Sequence, residues 1–303
     1  MRISDMSMYQ NLSQNIDQAQ AAYVKTQQEA SSGLAINQPS DNPSGTATVL
    51  NLQAALSQTQ SFQNNAQTAQ SQMQSADQAL GQVQSVVTSA MSLAEQGANN
   101  TLTASELQAL SQQAGGILGQ VQSLANTQYN GQYVFSGISQ QAPVVAGAYN
   151  SAATSSAQQL EIGSGVTIPV SVDGNQAFNT AVPSGQTLTN GSSATLLNVL
   201  SSLQTDLASG NTAAVEADLG ALQAQVGNLS SVRAALGADM NRVQAAISQL
   251  TNASVTLQKQ QGSVQNIDLA QVIAQLSNQQ MAYQAAVAAG ANLKLPTLAN
   301  YLT

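Results

Sequence analysis

The sequence predicts a mainly α protein: a long antiparallel coiled-coil helix bundle formed by both chain ends, with a small β-rich domain inserted in the middle. Three observations predict it. Large apolar residues recur at steps of four and three near both ends. The two helical arms match each other in character. Between them, β-branched and aromatic residues gather among glycines and prolines. The C-terminal arm is the plainest case. Val215, Leu219, Leu222, Val226, Leu229, Leu236, Met240, Val243, Ile247, Leu250 and Leu257 make a heptad seam broken only at Arg233 and Ser254. A helix carrying that seam is roughly 65 Å long and needs a partner along its length.

The N-terminal element is a short heptad, Tyr9, Leu12, Ile16, Ala19 and Tyr23. A loop interrupts it from Ser31 to Gly45, punctuated by Gly33, Pro39, Pro43 and Gly45. Periodicity resumes with Val49, Leu52 and Leu56. It continues through Phe62, Ala66, Ala69, Met73, Ala76, Leu80, Val83, Val87, Ala90 and Ala94, a span of roughly 50 Å from Phe62 as helix. Residues 97–100 read as a turn. Thr103 and Glu106 then form a capping box for a helix with Leu107, Leu110, Ala114, Ile117, Val121 and Leu124 on one face. Its expected partner is the preceding helix, folded back as a hairpin. Gly115, Gly116 and Gly119 suggest a close helix crossing.

From Tyr129 to Gly191 the pattern turns β-rich, with Tyr133–Gly137, Leu160–Ile162 and Val166–Val172, and Gly163-Ser164-Gly165 reads as a hairpin turn. Helical spacing returns at Leu196, Leu200, Leu203 and Leu207 and runs on into the long seam. A polar stretch, Gln258–Ser263, precedes a last helix with Leu269, Val272, Ile273, Leu276, Tyr283 and Val287. The expected division is an N-terminal coiled-coil arm at 1–45, the N-terminal part of a helical rod at 46–137, and the β-rich insert at 138–192. The C-terminal part of the rod follows at 193–258, and the C-terminal coiled-coil arm at 259–303.

Composition narrows function. Charged residues are 7 % and aromatics 3 %; there is no His, Cys or Trp, and the net charge is −8 with six Lys and Arg. Neutralising nucleic-acid phosphates or docking on anionic lipid is disfavoured, and no apolar run approaches the roughly 20 residues that span a bilayer. MRISDMSMYQ has one Arg and no apolar core, so no Sec-type cleavable signal is expected. Without His or Cys there is no Ser-His or Cys-His pair and no imidazole ligand, and no phosphate-binding glycine motif occurs. No enzyme activity, cofactor or metal is therefore expected. Residues 9–23 offer five seam positions, one of them Ala, against the entropy of ordering the segment. Both termini are expected to be largely disordered in a free monomer and to become helical when neighbours add surface.

Three ordered segments resemble the bacterial flagellins and their relatives at the hook–filament junction. Ser31–Asn37 with Ser40–Gly45 resembles the N-terminal signature, Leu236–Val243 the C-terminal segment around Asn-Arg, and Ile267–Ile273 the start of the last helix. Asn130-Gly131-Gln132-Tyr133-Val134-Phe135-Ser136-Gly137 is similar to a motif of the hook-associated protein 3 family, although Gln132 replaces its usual Arg. Val166–Val172, Gly174–Phe178 and the ending Leu298–Leu302 fit the same branch. The resemblance implies a structural adaptor exported unfolded through the flagellar type III channel. Its implied partners are hook-associated protein 1, flagellin, copies of itself in a ring, and an export chaperone, with no nucleic acid and no membrane insertion. A filament flagellin is the alternative within the family. A carbohydrate-binding or enzymatic module in the insert is the alternative outside it.

The subunit-packing candidates are Leu12, Ile16, Asn37, Asp41, Arg233, Asn241, Arg242, Leu269, Ile273 and Leu276. Arg233 reads either as a snorkelling side chain at a register break or as a charge pairing with an acid on a neighbouring helix. Asp41 and Asn42 read as turn chemistry before a metal loop.

Overall fold

The computed structural model describes residues 2–139, 141–153, 158–163, 165–182, 188 and 191–292. In chain order the elements are α1 (Arg2–Ser32), α2 (Pro43–Gly97), α3 (Ala104–Ala125), β1 (Gln128–Tyr129), β2 (Gln132–Tyr133), β3 (Val144–Val145) and β4 (Ala148–Tyr149). They continue with β5 (Gln159–Gly163), β6 (Val166–Pro169), a helical turn at Asn175–Asn179, α4 (Leu196–Ser209), α5 (Thr212–Gln265) and α6 (Leu269–Asn292). The chain forms two compact units, one of Met1–Gln58 with Ala253–Thr303, the other Thr59–Asn252. Helices α2 and α5 contribute residues to both. The mainly helical architecture with a small β-containing insert agrees with the sequence reading.

In the second unit α2 and α5 run antiparallel in constant register. Gln63 Nε2 donates to Thr251 Oγ1, Gln70 Nε2 to Gln244 Oε1, and Gln84 Nε2 to Ser230 Oγ. Each advance of seven or fourteen residues along α2 is met by an equal retreat along α5. Ala66, Ala69, Met73, Ala76, Leu80, Val83, Val87, Ala90 and Ala94 are all buried, as their spacing predicts. The alanines suit a close helix approach, because they present little more than a methyl to the partner.

Helix α5 corrects the sequence reading in detail. Its innermost line is Val215, Leu222, Leu229, Leu236 and Val243, spaced by seven. The second buried line lies three residues on, at Asp218, Gln225 and Val232, whereas Leu219, Val226, Met240 and Ile247 are only partly buried. The seam does not run on from α4 either. Gly210 adopts a left-handed conformation (φ 70°), ends α4, and is followed by Asn211, whose Oδ1 accepts from the Ala214 N–H. The polar stretch Gln258–Ser263, expected to separate two helices, is itself helical, and α5 ends at Gln265.

The Thr103–Glu106 capping box forms, with Thr103 N–H donating to Glu106 Oε2 at 2.7 Å and Glu106 N–H to Thr103 Oγ1 at 3.3 Å. Helix α3 has a partner beyond the preceding helix, since Ser111 Oγ donates to the Gln204 carbonyl of α4. The close crossing falls at Gly115, where a Cβ would lie 2.8 Å from Gln204 Nε2; Gly116 and Gly119 face open space.

Among the described residues the β structure is three separate antiparallel hairpins, β1–β2 just before the expected insert and β3–β4 and β5–β6 within it. Asn130-Gly131 and Ala146-Gly147 turn the first two, each pair at positive φ as a type I′ turn requires. The predicted β5–β6 hairpin is present, with Ser164 outside the described residues. Val134, Phe135 and Ser136 are buried, and Phe135 meets Phe178 edge-to-face at 5.2 Å.

Candidate assembly surface

The first unit is built on α1 against α6. Val272 is buried and Leu276, Gln279, Tyr283, Ala286 and Gly290 are half-buried, alternating steps of four and three toward one face. On α1 the predicted heptad Tyr9, Leu12, Ile16, Ala19 and Tyr23 is half-buried and extends to buried Thr26. Tyr23 stacks on Tyr283 with ring centroids 6.4 Å apart and planes 7° from parallel. A Cβ at Gly290 would lie 3.2 Å from Ile16 Cδ1 and 3.6 Å from Leu12 Cδ2. Moving from Tyr23 back seven residues to Ile16 therefore matches moving forward seven on α6, again an antiparallel register.

This unit has little interior. Among the described residues, Ile36, Val49 and Val272 are its only buried hydrophobics. On α6 Leu269 and Ile273, each 54 % exposed, are open to solvent, as are Met281 and Val287, while Met6 and Met8 are exposed on α1.

Between the helices the loop fixes itself. Gly33 ends α1 at φ 74°, with its N–H donating to the Glu29 carbonyl. Ala35 N–H donates to the Gln265 carbonyl at 2.7 Å and Ile267 N–H to the Gly33 carbonyl at 3.2 Å, joining the linker before α2 to the linker before α6. Asp41 Oδ2 accepts from the N–H groups of Asn37 and Gln38 at 3.1 and 3.0 Å, and Lys25 Nζ lies 3.7 Å from Oδ1. The Gln38 N–H, followed by the Asn37 N–H and the Lys25 charge, holds the Asp41 carboxyl below its ordinary range against some desolvation. Asn37 Nδ2 donates to the Leu34 carbonyl. Both polar candidates here thus have turn partners inside the loop. Pro43 opens α2 at its first position, where no N–H is missed. Gly45 has no room for a side chain, since a Cβ would sit 2.6 Å from both Ile36 Cδ1 and Asn42 Nδ2. Asp268 Oδ1 accepts from Ala270 N–H at 3.0 Å and caps α6.

The remaining candidates lie in the second unit. Arg233 reaches across to α2, with Nε donating to Asp77 Oδ1 at 2.9 Å, Nη2 to Asp77 Oδ2 at 3.2 Å and Nη1 to Gln84 Oε1 at 3.1 Å. The partner acid is on the chain's own neighbouring helix. Arg242 pairs with Asp239 one turn away at 2.9 Å, and Asn241 is exposed. The sequence reasoning did not name Asp77. A signal existed: Asp77 is the lone charge between Asp41 and Glu95, and Arg233 the lone charge between Asp218 and Asp239.

Residues 3–140 match the bacterial flagellin N-terminal helical region, and residues 219–302 match the bacterial flagellin C-terminal helical region. Flagellar hook-associated protein 3 of Salmonella typhimurium is 29 % identical over 138 residues, covering 45 % of this chain and 44 % of that protein. The Escherichia coli protein of the same name is 28 % identical over a stretch of the same length and coverage. The chain thus spans less than half the length of the curated relatives it matches. Among solved structures, FlgL from Xanthomonas campestris superposes with a TM-score of 0.57 at 15 % identity over 70 % of this chain and 99 % of that one. FlgL from Bacillus cereus gives 0.56 at 19 % identity, covering 70 % and 99 %. These structures share the fold. The motif that ends at Leu302 lies outside the described residues. With both helical regions matched in order and the α1–α6 and α2–α5 pairings in place, the chain belongs to the bacterial flagellin family.

Proposed function

We propose that this protein is a structural subunit of the bacterial flagellum that joins hook to filament. One observation carries the reading: among its described residues the α1–α6 unit has only three buried hydrophobics, yet it presents Leu269, Ile273, Met281 and Val287 to solvent. A helix pair so thinly filled is completed by more helices of the same kind, which is how a tube of subunits would use it. Leu269 and Ile273 then face neighbouring subunits, while Leu12, Ile16 and Leu276 hold α1 to α6 within one subunit. The likeness to hook-associated protein 3 supports a ring between hook-associated protein 1 and the first flagellin, reached by export through the flagellar channel with the help of a chaperone. A null strain tests it. Hooks are expected to form while flagellin escapes as monomer; normal filaments on the null strain would end the junction reading. Long filaments grown by the purified protein alone would instead make it a filament flagellin.

A further inference from the structure

One buried group is explained by neither family nor assembly. Asp218 of α5 is 1 % exposed, and neither of its carboxylate oxygens receives a hydrogen bond among the described residues. Its neighbour is another acid. Asp206 of α4 accepts the Ser202 hydroxyl at 2.9 Å, so the single proton of that hydroxyl is already committed. A buried carboxylate needs a cation, several donors or a proton. Donors are missing. Cations are missing too, because no Lys or Arg occurs between Lys25 and Arg233. Within this unit Arg233 is held by Asp77 and Arg242 by Asp239. The other charged groups on the elements packed around the corner are carboxylates: exposed Glu95 at the end of α2, exposed Glu106 bonded to Thr103 at the start of α3, and exposed Glu216 on α5 itself.

We propose that Asp218 and Asp206 share a proton that locks the α4–α5 corner and is released as the medium turns from acid to mildly alkaline. The protonated Asp218 donates to the Asp206 carboxylate, which gives the buried Asp218 side chain a partner. On ionisation the buried Asp218 charge faces that of half-buried Asp206 across α4 and α5. Burial, then the Asp206 charge, pushes the Asp218 carboxyl up from 3.8 to about 7. The proton is bound more tightly in the folded state. The stabilisation is therefore complete below the ordinary carboxyl range and is lost as pH rises through about 7. No other side chain is of a type that ordinarily titrates there, because the chain has neither His nor Cys.

The test is amide exchange of the intact protein at Leu200, Leu203 and Leu207, corrected for intrinsic rates. The opening constant is expected to rise about tenfold per pH unit between about pH 5 and 6.5 and to level off above about pH 7. Asp218→Asn should flatten that slope, and Asp206→Asn should reduce it. A wild-type profile as flat as that of Asp218→Asn overturns the proposal. So does restoration of protection at about pH 8 by millimolar magnesium or calcium chloride, which would make the pair a cation site. Carboxyl carbon shifts of the wild type give a reading that needs no variant: an aspartate titrating near neutrality supports the shared proton, and none between about pH 5 and 8 refutes it.

Discussion

Arg233 grips Asp77 with two parallel hydrogen bonds, Nε to Oδ1 at 2.9 Å and Nη2 to Oδ2 at 3.2 Å, across two helices whose other side-chain hydrogen bonds among the described residues run between uncharged amides and hydroxyls or from Arg233 itself. In a ladder of interchangeable Gln, Ser and Thr contacts, this pair is the one that cannot be satisfied by a slip of one turn. Its bidentate geometry fixes register as well as adding energy.

Arg233→Ala is expected to destabilise the Thr59–Asn252 unit by about 1–2 kcal/mol, the range for charged hydrogen bonds discounted for a pair over one-third exposed. Arg233→Lys should recover only part of this, because an ammonium cannot make the fork. Urea titration of both variants and of the Asp77→Asn double mutant checks it; a coupling energy near zero would mean the pair is ornamental.

Ala76 is 1 % exposed on the α2 seam. Ala76→Leu should cost about 1–3 kcal/mol by overpacking. The same change at exposed Ala54 should be close to neutral. Thermal melts of the two variants side by side separate packing from helix propensity.

Gln225, fully buried, donates through Nε2 to the carbonyls of Thr180 and Ala194. Gln225→Leu leaves both carbonyls without that donor and should cost about 1–3 kcal/mol. Proteolysis should then open first in the insert near residues 180–194, with cleavage sites read by mass spectrometry.

Asp41 titrates with the opposite sign to Asp218. Its carboxyl is held low by backbone N–H groups, so the stabilisation it gives the loop is present above its ordinary value of 3.8 and is lost as pH falls through its lower folded value. Amide exchange at Asn37 and Gln38 should accelerate in acid after correction for intrinsic rates. Asp41→Asn should abolish that pH dependence.

The sparse interior of the first unit leads to a gradient of protection. Amides of residues 9–23 in dilute protein should exchange far faster than those of residues 66–94. Comparable protection in the two segments would show that α1 is ordered without neighbours, against the expectation of disordered termini.

The sequence alone determined most of the helical segments and which faces of α1, α2 and α3 turn inward. Those faces are written in apolar residues at steps of four and three, and the structure buries or half-buries the same positions. It also determined the loop at Gly33, the capping box at Thr103 and the family, each carried by a few residues in fixed order. Tertiary structure alone decided what periodicity of apolar residues cannot record. Asp218 and Gln225 occupy the second buried line of α5, yet as polar residues they read as surface. Leu219 and Val226 read as seam and lie at its flank. Gln258–Ser263 shows no stripe, yet its backbone continues the helix because nothing in it breaks hydrogen bonding. Arg233 interrupts the seam in one dimension and completes it in three, because its partner lies more than 150 residues away, a distance that only folding closes.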